Sequence, residues 1–320
     1  MPLSSAVKMR LVFCGTPQFA VPSLLHLLAQ PDFEILAVIS QPDRPRGRGN
    51  EISFSPVKQA ALSANIPVHQ PEKIRSPEAQ QLLQQLTPDC IVIIAYGQII
   101  PARLLIIPKF GWINLHASLL PKYRGAAPIN WAIANGETKT GVTSMRIDAG
   151  MDTGEILLQR ELEIGSSETA PELITRMSKL GAPLITETLR GLLGGSITPL
   201  PQDHHAATLA PILKKEDGRI DWTRPAQEVF NRMRAFLPWP GAYTSFRGQS
   251  CHLWGIPESN RHAIAPPGTL SLHEGALYVS CGGTTSLQLH SVKLEGRRQI
   301  TAVEFANGAH VKPAEQFGQP

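Results

Sequence analysis

The sequence predicts an α/β fold built on a Rossmann-like, mostly parallel sheet and followed by a small β-barrel. Three observations carry this. Apolar runs at Met9 to Cys14, Ala37 to Ser40 and Asp89 to Ala95 alternate with helical stretches through the first half of the chain, the pattern of a layered α/β sheet. The run from Asp89 to Ala95 is apolar at nearly every position, which fits a central strand covered on both faces. From about Lys214 onward the pattern changes to short strands split by Gly, Pro, Asn and Ser clusters, as in a small antiparallel barrel. At 320 residues the chain is long enough for two domains with separate cores.

Met9 to Cys14 reads as a buried parallel strand, Gly15 to Ala20 as the turn after it, and a helix follows through about Ala29. Gly15-Thr-Pro-Gln lacks the second glycine of a dinucleotide fingerprint, and Pro17 removes a backbone donor where a pyrophosphate needs one. Nicotinamide binding is therefore disfavoured, and Cys14 is expected to pack rather than react. Gln41 to Asn50 carries Pro42, Pro45, Gly47 and Gly49 and is expected to be irregular. Its three arginines, Arg44, Arg46 and Arg48, fit a solvated loop on composition, or a basic clamp on a phosphate backbone. Helices are predicted from Pro56 and over Ser76 to Gln85.

Pro108 and Gly111 bracket the start of a short strand containing Trp112, Ile113 and Leu115. Alternation along it puts Asn114 and His116 on one side, about 7 Å apart, where the chain leaves the sheet. A carboxamide can donate to a developing oxyanion, and an imidazole can move a proton near neutral pH. The pairing points to acyl-type chemistry on a carbonyl, with a polar strand end at a sheet rim as the plainer reading of the same residues. Ser118 lies outside any Gly-x-Ser-x-Gly elbow, which argues against a serine hydrolase. A second alternating strand from Gly141 runs into a loop with two carboxylates, Asp148 and Asp152. A carboxylate brought against an imidazole fixes its tautomer and favours its protonated form.

Ile156 to Glu163 is predicted as a further strand, and Ser166 as the opening of a long helix that ends at Gly194-Gly195. Ser196 to about Pro211 has little periodicity. It reads as a linker in which the pair His204-His205 is solvated, since two adjacent histidines lack the convergent partners of a metal site. A helix from about Pro225 to Phe236 precedes the barrel strands. From Leu209 on there are 12 lysines and arginines against 9 acidic residues, so most of the chain's net charge of +4 lies there. That charge permits a nucleic-acid surface without requiring one.

Asn114-x-His116, the loop Ser118-Leu119-Leu120-Pro121 and the segment through Asp152 together resemble the active site of the folate-dependent formyltransferases. The resemblance implies Asn114, His116 and Asp152 as catalytic residues and Ser118, Leu119, Leu120 and Pro121 as the folate-contacting loop. It leaves Asp148 structural. Gln-Pro-Asp-Arg-Pro followed by Gly-Arg-Gly, with Ser55-Pro-Val-Lys58, resembles the branch of that family acting on methionyl-tRNA. So do Arg-Ile-Asp-Trp and Arg-Ala-Phe-x-Pro-Trp-Pro in the second half. This implies an insertion loop at about 41–55 gripping the acceptor end of initiator tRNA, with Arg48 aligned to the family's important arginine. Asn50-Glu51 stand where the family often has lysines. The resemblance further implies a catalytic domain at 1–195, a linker at 196–211 and an OB-like tRNA-binding domain at 212–320. Candidate tRNA contacts there are Lys214, Lys215, Arg232, Arg234, Arg297 and Arg298, with Lys293 alongside. The formyl donor would be 10-formyltetrahydrofolate and the acceptor the amino group of methionine on charged initiator tRNA. No metal is expected, because the formyl group is already activated on the folate nitrogen.

Two rivals stand beside this reading. A formyltransferase for a small amine, such as a sugar nucleotide or glycinamide ribonucleotide, would share the catalytic residues but leave the basic loop and barrel without a purpose. A hydrolase releasing formate is a variant of it. A tRNA-binding protein without catalysis would not need Asn114, His116 and Asp152. Hydrophobic content of 42% and charged content of 18% fit a globular protein. The four scattered cysteines suit a reducing compartment, and no apolar run reaches the roughly 20 residues of a membrane helix. The short stretch before Met9 leaves little room for a leader. A monomer in the bacterial cytoplasm is the expected setting.

Overall fold

Apolar strands bounded by proline and serine caps condense into layers. In the computed structural model, which describes residues 8–46 and 51–318, the chain divides into two compact units. The first comprises Met1–Pro128, Lys139–Glu163 and Ile174–Ala210, and the second Ile129–Thr138, Ile164–Leu173 and Pro211–Pro320.

The elements from the start of the chain to the long helix are β1 (Met9–Gly15), α1 (Val21–Leu28), β2 (Phe33–Ile39), β3 (Arg44–Arg46), β4 (Glu51–Ser53), α2 (Pro56–Ser63), β5 (Val68–His69), α3 (Pro77–Leu86), β6 (Cys90–Ile94), α4 (Ala102–Leu105), β7 (Trp112–His116), α5 (Pro128–Ala134), β8 (Lys139–Arg146), β9 (Ile156–Glu163) and α6 (Ala170–Gly194); α5 after Pro128 and the first turn of α6 belong to the second unit. Helix starts follow the sequence chemistry. The Ser55 and Ser76 side chains accept from Lys58 N and Ala79 N, each with proline as the first helical residue, so two orphan N–H groups are satisfied where a proline needs none. Seven strands form one sheet in the order β5-β2-β1-β6-β7-β8-β9. The first four pairings are parallel; β7–β8 and β8–β9 are antiparallel. Strand order reverses between β1 and β6, and crevices at such points, beyond the carboxyl ends of the strands, take ligands. One core cluster packs Val12, Cys14, Ile39, Leu83, Ile91 and Trp112, the aliphatic side chains each contributing about 1.5–3 kcal/mol by burial.

Two expectations are corrected here. The insertion is not wholly irregular: Arg44, Pro45 and Arg46 pair antiparallel with Ser53, Ile52 and Glu51 as a separate two-stranded ribbon. Every strand of such a ribbon is an edge, where proline's missing donor costs least. The ribbon's base is tied down by the Lys58–Asp43 ion pair and by Gln70, whose amide donates to Asp43 Oδ1 at 2.9 Å and to the Gln41 carbonyl at 2.8 Å. Against burial, which pushes it up, these partners hold the Asp43 carboxyl below its ordinary range. The long helix starts at Ala170, not Ser166. Glu168 accepts from Gly165 N at 2.9 Å and closes a turn, and Glu172 accepts from Thr169 N at 2.8 Å, so the predicted first-turn carboxylates bond backbone ahead of the helix.

The second unit contains α7 (Ala226–Ala235), β10 (Tyr243–Phe246), β11 (Gln249–Glu258), β12 (Leu270–His273), β13 (Ala276–Ser280), β14 (Ser286–Leu294), β15 (Ile300–Thr301) and α8 (Ala302–Gly308). Its antiparallel sheet runs β10-β11-β14-β13-β12, with β15 on β14. The chain's last described residues span the two ends of that order: Leu270 N donates to Glu315 O at 2.7 Å, and Gly318 N donates to Ser245 O at 2.9 Å. Trp222, Phe230, Phe246, Leu277, Phe305 and Phe317 fill the interior, with Trp222 and Phe317 stacked at 5.8 Å. All four cysteines are buried and unpaired. Burial pushes the Cys14 thiol up, which removes it as a nucleophile.

Candidate active site

The site forms where β7 ends. Trp112 donates from its indole nitrogen to Leu104 O at 2.8 Å and fixes the start of the strand, which lies between β6 and β8. Asn114 and His116 then share one side of it, with Met145 and Thr143 opposite on β8. His116 is 6% exposed. Its Nε2 lies 2.9 Å from the Tyr123 carbonyl oxygen. A carbonyl only accepts, so Nε2 carries the proton in the neutral ring. Nδ1 is then the nitrogen that gains and loses a proton, and it faces Asp152 Oδ2 at 3.7 Å. The same oxygen accepts from Gly125 N at 2.8 Å. The Asn114 carboxamide has no hydrogen-bond partner among the described residues. It is partly exposed and free to donate to something that enters.

The other loop carboxylate is occupied. Asp148 accepts from Gly150 N at 3.0 Å and from the Thr153 hydroxyl at 2.7 Å, which shapes the turn. In the loop after β7, Ser118 spends its hydroxyl on Lys122 O at 2.6 Å. Thr143 holds Ser118 O at 2.7 Å and Leu120 N at 3.2 Å. Ser118 and Leu120 are buried, whereas Leu119 and Pro121 are partly exposed. The loop therefore offers a shaped apolar rim.

Several residues that sequence reasoning passed over complete the geometry. Arg124 is buried and reaches Gln202 Oε1 through Nε at 3.0 Å and Nη2 at 2.6 Å. The Gln202 amide donates to Asp152 O at 2.9 Å and Gly154 O at 2.7 Å. The expected solvated linker is thus partly an active-site wall; His204 and His205 are exposed as expected, and His204 also meets Arg124 at 3.2 Å. Proline-rich, aperiodic sequence gave no burial signal. An Asn-x-His pattern and a lone glutamine look alike until the register is known.

The candidate nucleic-acid residues separate into groups. Arg44 is exposed, with Glu72 at 3.6 Å; Arg46 lies on β3; Arg48 lies outside the described residues. Lys214, Lys215, Arg297 and Arg298 are exposed. Arg234 is not a surface contact: it is 3% exposed and donates to Gly165 O at 3.0 Å, Glu168 O at 2.9 Å and Asn231 Oδ1 at 3.1 Å. Arg232 is half-buried, bonded to Asp217 O at 3.2 Å and 5.0 Å above the Phe236 ring. On an amphipathic helix, an arginine bonded to backbone carbonyls of a neighbouring turn reads the same as one in solvent. Arg234→Ala is expected to lower stability by about 2–4 kcal/mol, measured by denaturant unfolding, because it strands the buried Asn231 Oδ1 and removes two part-buried bonds to the Gly165 and Glu168 carbonyls. A variant as stable as the parent would put Arg234 back among surface contacts. Conversely, His252 and Lys293 are opposite one another on β11 and β14, and Tyr243 packs on His252 at 5.9 Å. Burial, then the charges of Lys293 and Lys215, hold His252 below its usual range, so three basic residues and an aromatic meet on this face.

Among the described residues no group of three or more His, Cys, Asp or Glu is placed to hold a metal ion, and no helix is long and apolar enough to cross a membrane. The formyl transferase family model matches residues 9–189, and the model of the formyl transferase C-terminal domain matches residues 212–310. The chain is 51% identical over 97% of its length to the methionyl-tRNA formyltransferase of Solibacter usitatus, covering 99% of that protein. It is 50% identical to the methionyl-tRNA formyltransferase of Acidobacterium capsulatum, over 97% of this chain and 100% of that one. A solved sugar 3N-formyl transferase, crystallised in the presence of dTDP and 5-N-formyl-THF, shares the fold with a TM-score of 0.64 at 19% identity, over 92% of this chain and 100% of its own.

Proposed function

The chain belongs to the formyl transferase family, and on that premise we infer that it moves the formyl group of 10-formyltetrahydrofolate to the amino group of methionine on charged initiator tRNA. The carrying observation is that relatives named methionyl-tRNA formyltransferase match 97% of the chain at 50–51% identity, including the second unit. A small-amine transferase has no evident need of the basic face on that unit.

The chemistry assigned to the site is as follows. The methionine amine attacks the formyl carbon, forming a C–N bond and placing negative charge on the formyl oxygen. Asn114 donates its free amide to that oxygen, a contact that strengthens as charge develops. The amine's proton passes to the His116–Asp152 pair at Nδ1, where the carboxylate stabilises the imidazolium. The C–N10 bond then breaks and folate N10 takes up a proton, so the transfer is proton-neutral overall. Leu119 and Pro121 supply apolar surface to the folate. Arg44, Arg46 and Arg48 bind the acceptor end of the tRNA. Lys214, Lys215, Arg297 and Arg298, with Lys293 and His252, bind phosphates along its body as a monomer. The bacterial cytoplasm is the setting this reading gives.

The test is formyl transfer from 10-formyltetrahydrofolate to methionyl-initiator tRNA, with uncharged initiator tRNA and free methionine as controls. Transfer to the charged initiator alone is expected. Folate binding without transfer would move the reading to a small amine. Arg48→Ala should weaken tRNA use, spare folate binding and reduce the slope of log affinity against log salt by about 1. An unchanged slope would remove Arg48 from the phosphate contacts.

A further inference from the structure

The segment between the first unit's long helix and Pro211 has more bonds to the active site than a connector needs. Beyond the Gln202 bonds, the Thr208 hydroxyl accepts from Tyr123 N at 2.9 Å. Arg124 N donates to Thr208 O at 2.9 Å, and Ala210 N donates to Arg124 O at 2.7 Å. A Cβ on Gly125 would lie 2.7 Å from Ala210 O, so the segment and the loop touch backbone to backbone.

These bonds fall on particular atoms. Tyr123 supplies the carbonyl that holds His116 Nε2, and Gly125 supplies the N–H that holds Asp152 Oδ2. Tyr123 and Asp152 both adopt left-handed backbone, with φ of +61° and +53°, a conformation that is costly for a bulky residue such as tyrosine and better tolerated by aspartate. At Tyr123 the backbone N–H is held by the Thr208 hydroxyl. At Asp152 the peptide carbonyl is held by Gln202.

We propose that residues 202–210 splint the active site, and that Gln202 and Thr208 are positioning residues setting the geometry of Asp152 and His116 without touching the reacting atoms. Gln202 aligns the carboxylate by fixing the backbone beneath it, and its buried partner Arg124 carries the same restraint to the loop after β7. Thr208 aligns the imidazole by holding Tyr123 in the conformation that presents its carbonyl.

The inference rests on the formyl-transfer reading. Gln202 is the obvious target, but its loss leaves Arg124 buried and without its main acceptor, so Thr208 carries the test. Thr208→Val keeps the volume and removes the acceptor; Thr208→Ser keeps the hydroxyl. Transfer kinetics with 10-formyltetrahydrofolate and methionyl-initiator tRNA are measured beside folate affinity and thermal melting. Thr208→Val should lower kcat about 10- to 100-fold, the scale of a small misplacement of reacting groups, with both KM values and folate affinity within about 2-fold of the parent. Thr208→Ser should restore kcat. The proposal is overturned if Thr208→Val keeps the parent's kcat, if Thr208→Ser loses as much, or if the loss lies in KM or folate affinity instead. Absence of transfer by the parent chain would instead sink the functional reading.

Discussion

Asp152→Asn is expected to lower kcat by roughly three orders of magnitude, within the range for a misplaced or missing proton-transfer group, while folate binding stays near that of the parent. The substitution is almost isosteric, and asparagine and aspartate are the residues that best tolerate left-handed backbone, so φ of +53° at this position is retained. An amide oxygen can still accept from Gly125 N, as Asp152 Oδ2 does at 2.8 Å. The negative charge facing His116 Nδ1 is what disappears. Without it the imidazolium formed as the amine loses its proton has no counter-charge in a buried setting, where such charge is costly. In the opposite orientation the mutant amide turns its NH2 toward Nδ1, gives up the Gly125 bond and holds that nitrogen as an acceptor, blocking proton uptake. Single-turnover transfer with both substrates saturating measures this step. Turnover within a few-fold of the parent would remove Asp152 from the reaction.

How much of this was legible from the residues depends on the range over which each signal acts. Strand identity was local: Met9 to Gly15 and Cys90 to Ile94 are apolar runs no other element could use. The pairing of Asn114 with His116 was local too, since alternation along β7 puts both on one side. Asp152 was visible as a loop carboxylate, but its approach to His116 depends on the reversal through β8 and on a backbone conformation set from elsewhere. That elsewhere is Gln202, whose burial follows from Arg124, 78 residues before it. Nothing near Gln202 distinguishes it from the solvated residues around it. The same limit explains Arg234 and His252. One was named for its charge and is buried, and the other gains its basic neighbours only through the register of β11 on β14. Charge is readable in a sequence, but the dielectric and the company around it depend on tertiary pairing.

Asn114→Ala is expected to separate catalysis from stability more cleanly than any other change at the site. The His116 ring is 6% exposed and bonded at Nε2, and Asp152 holds Gly125, so loss of either disturbs the loop as well as the reaction. The Asn114 amide has no partner among the described residues. Its removal strands no buried donor or acceptor, and the penalty of a broken internal hydrogen bond does not arise. The thermal midpoint should therefore stay within about 2 °C of the parent, since a ΔΔG of even 1 kcal/mol would shift it by a few degrees. The rate should fall about 10²- to 10³-fold, the usual effect of deleting one donor to a developing oxyanion. The loss should appear in kcat, because the contact matures only as charge forms on the formyl oxygen. A variant that binds both substrates normally, melts with the parent and transfers formyl at the parent's rate would show that the oxygen is stabilised by something other than Asn114. A functional side chain that contributes nothing to its own fold is expected where binding energy is reserved for a transition state. On β7, where Trp112 and His116 are both tied to backbone carbonyls, Asn114 is left free.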